Sequence, residues 1–129
     1  MIHGIIIAHK DAGRGVLNAL KGMYGDIDCL VSLSNEGLST NELTDAIRAA
    51  ARTAEGEGVC VFIDAYGGSC WRAAKLARLR NAHVITGFNL PILLSFVTKR
   101  AIIPFDELPA VLEMDGKRGI RVEYSCSGE

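Results

Sequence analysis

The sequence has 129 residues, 49% of them hydrophobic, and a formal net charge of −1. That length and apolar content suit a well-formed core, and residues 1–129 are expected to act as a single domain. The near-neutral charge gives no electrostatic case for nucleic acid or an anionic membrane, and no apolar run is long enough to span a bilayer.

The start, Met1-Ile2-His3-Gly4-Ile5, has no basic stretch and no cleavage-site pattern, so no signal peptide is expected and the chain reads as cytoplasmic. Ile2 to Ala8 is near-continuously apolar and β-branched, as a central strand covered on both faces would be. It ends on His9. After Lys10-Asp11-Ala12-Gly13-Arg14-Gly15, the residues Val16, Ala19, Leu20 and Met23 fall at helical spacing up to Gly25. Ile27 to Leu33 is a second strand. Ser39-Thr40-Asn41-Glu42 has the form of a capping box, opening a helix with Leu43, Ala46, Ile47 and Ala50 on one face.

Gly58 to Ile63 forms a third strand and ends on Asp64. Ala65-Tyr66-Gly67-Gly68-Ser69 then turns into a helix marked by Trp71, Ala74 and Ala77. Ala82 to Phe88 is a fourth strand. Asn89-Leu90-Pro91 starts the next helix, with proline tolerated in its first turn. A short last helix is expected from Pro104-Phe105-Asp106, with Asp106 as its cap, and a turn from Gly116 to Gly119. Ile120, Val122 and Tyr124 alternate with Arg121 and Glu123, a period of two that predicts an edge strand or one lent to a neighbour. Residues 125–129 should be a frayed tail.

Cys29, Cys60, Cys70 and Cys126 show no CxxC or CxxH spacing. They are expected to be free thiols, with Cys29 and Cys60 buried and Cys126 exposed; no metal site and no cofactor are expected.

Alternating β and α segments predict a three-layer α/β sandwich around a mainly parallel sheet. The commonest open order, 2-1-3-4, places strand 1 between strands 2 and 3. A crevice then opens at the carboxyl ends of strands 1 and 3, which brings His9 beside Asp64. A carboxylate bonded to one imidazole nitrogen fixes the tautomer and leaves the other as the nucleophile. Gly67, Gly68 and Ser69, at a turn and a helix N-terminus, supply backbone donors for a transferred anion, and phosphoryl is the natural candidate. There is no Walker A lysine loop and no GxGxxG.

His9 after an apolar strand, Asp64-Ala65-Tyr66-Gly67-Gly68-Ser69, and Gly87-Phe88-Asn89-Leu90-Pro91 together resemble the mannose-family EIIA component of the phosphoenolpyruvate:sugar phosphotransferase system. The spacing fits along essentially the whole chain. The resemblance implies that His9 takes a phosphoryl group from HPr and passes it to an EIIB component. Asp64 would hold Nδ1 so that Nε2 is phosphorylated, and Ser69 with nearby backbone would hold the phosphate. It also implies a homodimer whose last, antiparallel strand crosses to the other subunit, and association with a membrane permease complex without insertion. Two positions depart from the family pattern. Lys10 stands where a small residue, often glycine, follows the histidine, and Cys70 stands where a proline follows Gly-Gly-Ser. These leave open which EIIB or sugar is served, and whether the output is transport or regulation.

Lys10, Arg14, Tyr66 and Asn89 are candidate partner contacts. Each has a plainer reading: solvated side chains for Lys10 and Arg14, a rim residue for Tyr66, a loop-holding residue for Asn89. Asp64 could instead cap the following helix, and Ser69 could do the same. Three other functions compete. The phosphoryl-accepting subunit of a dihydroxyacetone kinase shares the fold and histidine, but its second motif lacks the second glycine. A receiver-like domain phosphorylated on Asp64 would need an acidic cluster for Mg²⁺. A non-catalytic interaction domain of the same fold is the third.

Overall fold

The computed structural model describes residues 1–53 and 58–125. Nine elements follow in strict alternation until the end: β1 (His3–Ala8), α1 (Ala12–Tyr24), β2 (Leu30–Ser34), α2 (Thr40–Arg52), β3 (Val59–Ile63), α3 (Ser69–Ala77), β4 (Ala82–Thr86), α4 (Leu90–Lys99) and α5 (Leu108–Arg118). The four strands are all parallel, in the order β2-β1-β3-β4.

The apolar run of β1 is explained by its place between β2 and β3. Side chains of a strand alternate between faces. Ile6, with Phe62 of β3, faces a core built with Leu17 and Leu20 of α1, Leu93 and Phe96 of α4, and Leu112 of α5. Ile5 and Ile7, with Val61 and Ile63, face a second core built with Leu43 and Ile47 of α2 and Ala73 and Ala74 of α3. Both faces are therefore covered by helices, the three-layer arrangement expected. Phe62 and Phe96 meet edge to face at 5.2 Å. Cys29 and Cys60 are buried among these residues.

Ser39 and Glu42 form the expected capping box at α2, each side chain bonding the other's backbone N–H. Elsewhere the boundaries differ. β2 begins at Leu30 rather than Ile27, although Ile27 and Cys29 are still buried. β4 stops at Thr86, where Gly87 turns left-handed at φ 70°. The last helix is capped at Glu107, not Asp106, because residues 104–107 close a tight turn on the Pro104 carbonyl. Nor do residues 116–119 form a turn. α5 runs through Gly116 to Arg118, and Gly116 lies so close to Ile92 of α4 that a Cβ would clash with its side chain. The weak helix propensity of glycine is offset by that close packing. Asp115 reinforces the same contact, accepting from Ser95 Oγ at 2.5 Å and Lys99 Nζ at 2.6 Å.

Residues 120–125 form no strand in this chain, and Ile120, Val122 and Tyr124 are exposed. Residues 126–129 of the expected tail, Cys126 among them, lie outside the described residues. Among those described, no helix is long and apolar enough to cross a membrane.

Candidate active site

His9 follows the last residue of β1 and Asp64 the last residue of β3, and these two strands are direct neighbours. Their register, with Ile7 opposite Ile63, carries both polar residues off the same end of the sheet. They meet as the sequence predicts. Asp64 Oδ2 lies 2.6 Å from His9 Nδ1 and also accepts the His9 backbone N–H at 3.0 Å. A carboxylate can only accept, so the imidazole proton in this pair sits on Nδ1 and Nε2 carries the lone pair. One carboxylate oxygen thus fixes both the position and the tautomer of the ring. The His9 side chain is 47% exposed, whereas that of Asp64 is 22% exposed. The imidazole is open to solvent, whereas the carboxylate that holds it is mostly covered.

Nε2 points toward the start of α3, where Ser69 Oγ lies 3.2 Å away. Gly68 is the N-cap of α3, and the first bond of the helix runs from Arg72 N–H to the Gly68 carbonyl. The N–H groups of Ser69, Cys70 and Trp71 therefore precede the helical ladder and carry the positive end of its dipole. Asp64 is not the cap of this helix. Gly67 has φ 81°, a conformation that a side chain would strain. Gly68 has ordinary backbone angles. A Cβ there would rest 3.8 Å from His9 Cε1, at the flank of the ring. At the start of α1, Ala12 N–H bonds the His9 carbonyl.

Lys10 has φ 49°, a left-handed conformation where glycine is the usual residue. Its N–H is held by Asn35 Oδ1 at 3.0 Å, from the loop after β2. Asn35 was not singled out by sequence. The only signal was its place just beyond the strand that flanks β1. Arg14 pairs with Asp11 on the exposed side of α1. Tyr66 is 76% exposed and its ring lies 5.0 Å from that of Trp71. Asn89 is not brought to His9. Its Oδ1 caps α4 through Ile92 N–H, and its Nδ2 donates to the Gly116 carbonyl. His83 stacks on Phe105 at 4.1 Å, away from the site. Cys70, expected only as a free thiol, is free. It is wholly buried, with Sγ 3.7 Å from His9 Nδ1.

An open parallel sheet in the order β2-β1-β3-β4 puts the carboxyl ends of β1 and β3 at a topological switch point, where ligands bind in α/β folds of this class. The chain belongs to the EIIA-man family, whose model, described as "PTS system fructose IIA component", matches residues 4–113. It is thus an EIIA-type component of the phosphotransferase system by family and fold. EIIA from Streptococcus agalactiae superposes with a TM-score of 0.87 at 23% identity, over 95% of this chain and 97% of that one. The PTS IIA protein associated with the fucose utilization operon of Streptococcus pneumoniae gives 0.80 at 18% identity, over 94% and 92%. The mannose/sorbose specific IIA subunit from Enterococcus faecalis gives 0.76 at 21%, over 95% of each chain. Among curated proteins, none matches.

Proposed function

We propose that the chain is a cytoplasmic phosphoryl carrier that accepts a phosphoryl group from phospho-HPr on His9 Nε2 and passes it to an EIIB component. The observation that carries this reading is the 2.6 Å contact between His9 Nδ1 and Asp64, which leaves Nε2 as the nucleophile. The Nε2 lone pair attacks phosphorus as the bond from phosphorus to the donor breaks. The ring then gains positive charge, which Asp64 stabilises from the other side. Ser69 Oγ, next to Nε2 in the resting chain, turns its O–H to a phosphoryl oxygen, and the N–H groups at the start of α3 bond the others. The open face of His9 suits donors and acceptors that are themselves proteins. Lys10 and Tyr66, exposed beside it, are the residues best placed to meet them.

The second glycine before Ser69 speaks against the dihydroxyacetone kinase alternative. The test is intact-protein mass after incubation with phosphoenolpyruvate, enzyme I and HPr. One phosphoryl group is expected on wild type and none on His9→Ala. Uptake by His9→Ala overturns the reading.

The working form in this reading is a homodimer in which residues 120–124 of each chain lie antiparallel along β4 of the other. β4 is an open sheet edge, and beside it runs a cavity of about 680 Å³ lined by Val84, Thr86, Pro109 and Ile120. An open edge is a template for a further strand. Sedimentation should give a dimer for the full chain and a monomer for a chain ending at Gly119.

A further inference from the structure

His9 sits between two peptide units, one shared with Ala8 and one with Lys10. All four polar groups of those units are bonded. The Ala8 carbonyl accepts from Asn35 N–H at 3.4 Å, and the His9 N–H donates to Asp64 Oδ2 at 3.0 Å. The His9 carbonyl accepts from Ala12 N–H at 3.1 Å, and the Lys10 N–H donates to Asn35 Oδ1 at 3.0 Å. Asn35 thus grips the backbone on both sides of the histidine. It does so from the end of β2, while Asp64 grips the histidine from the end of β3. Peptide units are planar, so two fixed units fix the Cα–Cβ direction of the residue between them. These bonds aim the imidazole before the ring makes any contact of its own.

Asn35 is itself held. Its carbonyl accepts from Leu38 N–H at 3.1 Å, Gly37 turns left-handed at φ 74°, and Ser34 Oγ accepts from Glu36 N–H at 3.0 Å. This closed turn runs straight into the capping box of α2. Lys10 shows why a side-chain acceptor is needed. Its left-handed backbone, at φ 49°, is unfavourable for a residue with a Cβ. β1 is fixed in the sheet and α1 on the core, so relaxation of Lys10 falls on the short segment between them. That segment includes the peptide shared with His9, and the Asn35 oxygen bonds its N–H.

We propose that Asn35 is a positioning residue for His9, holding the backbone so that Nδ1 meets Asp64 and Nε2 turns to Ser69. This deepens the reading of His9 as phosphoryl acceptor, and its effect on transfer rests on that reading. Asn35 acts through the backbone, not on the reacting atoms. Without its oxygen the Lys10 N–H turns to water and the peptide before it is released. The ring then swings over a wider arc, its Nδ1 proton spends time away from Asp64, and selection of the tautomer weakens.

Nitrogen-15 correlation spectra of the neutral imidazole test the positioning, because they read the tautomer without any phosphoryl donor. Wild type should carry the His9 proton on Nδ1. Asn35→Ala should give a mixture with the Nε2-protonated form. Asn35→Asp, which keeps an acceptor for Lys10 N–H, should restore the wild-type pattern. Three results overturn the proposal: a wild-type pattern in Asn35→Ala, a mixture already present in wild type, or a mixture that Asn35→Asp leaves unchanged. Single-turnover transfer from phospho-HPr tests the consequence. In Asn35→Ala the rate at saturating phospho-HPr should fall at least roughly tenfold, with the half-saturating concentration within about twofold of wild type. An unchanged rate overturns the proposal. So does a loss confined to the half-saturating concentration, which would make Asn35 a partner contact. A wild type that accepts no phosphoryl group overturns the carrier reading instead, and the spectra alone then decide on Asn35.

Discussion

The two ends of the sheet contrast in how their polar side chains engage one another. At the carboxyl ends of β1 and β3, His9, Asp64 and Ser69 close on each other at 2.6 and 3.2 Å. At the amino ends, Arg48, Arg52, Arg78 and Arg80 line a cavity of about 480 Å³. That end has the stronger charge and a defined hollow, yet its best-placed guanidinium serves the fold. Arg48 donates to the Leu76 and Ala77 carbonyls at the end of α3, and cations suit helix C-termini. Charge and concavity are shared by many surfaces. Mutual engagement of an imidazole, a carboxylate and a helix N-terminus is the rarer condition, and it sits at the switch point of the topology.

The contrast is broken most directly by mutation at each end. His9→Ala should abolish phosphoryl uptake, whereas Arg78→Ala with Arg80→Ala should leave it at the wild-type level. Mass spectrometry in the reconstituted donor system reads both. If the double arginine variant loses uptake, the amino end takes part after all. Asp64→Asn comes next. It keeps the shape but lets an amide N–H face the ring and favours the wrong tautomer, so the transfer rate should fall roughly ten- to hundredfold with the acceptor retained. A rate unchanged in quenched-flow measurements removes Asp64 from the orienting role.

Both ends also hold an ordinary residue in left-handed backbone: Lys10 at φ 49° and Arg78 at φ 48°. Glycine relieves that strain at a smaller cost in chain entropy, so Lys10→Gly and Arg78→Gly should each stabilise by about 0.5–1 kcal/mol in urea unfolding. The comparison sharpens if only Lys10→Gly changes transfer with HPr, since the strain there is then retained for a charge beside His9. The smallest effect concerns acid. Lys99, and then Ser95, hold the Asp115 carboxyl below its ordinary value of 3.8. Its folded state takes up a proton later than the unfolded chain as pH falls. That contribution is full above the ordinary value and drains away as pH drops through the folded one. Asp115→Asn should therefore flatten the acid limb of the stability profile by a few tenths of a kcal/mol, most of the charge being near the surface.

The sheet order and the His9–Asp64 pair were legible because both polar residues terminate unbroken apolar, β-branched runs, and because the parallel topology has few alternatives. Cys70 was not. Its facing depends on how α3 rotates onto β3, and the spacing of cysteines along the chain carries no trace of that. The left-handed turn at Lys10 was hidden for a related reason: the residue that would have announced it, glycine, is absent. Gly116 misled in the opposite direction. It looked like a helix stop, whereas its missing side chain serves the packing of α5 on Ile92. The alternation from Ile120 to Tyr124 has strand character, and among the described residues this chain gives it no strand to pair with.

Because β1 lies between β2 and β3, the first strand to leave the ribosome is the one that depends on the most later sequence. Its isoleucine run stays open on one edge until Ile63 has been made, and during synthesis at roughly 5–20 residues per second that wait lasts seconds. An exposed, β-branched apolar segment of this kind is an aggregation hazard while it waits. A polypeptide interrupted before β3 would carry the histidine on a strand paired on one edge only, without Asp64 beside it. The order of translation thus leaves His9 without its carboxylate partner until β3 has been made.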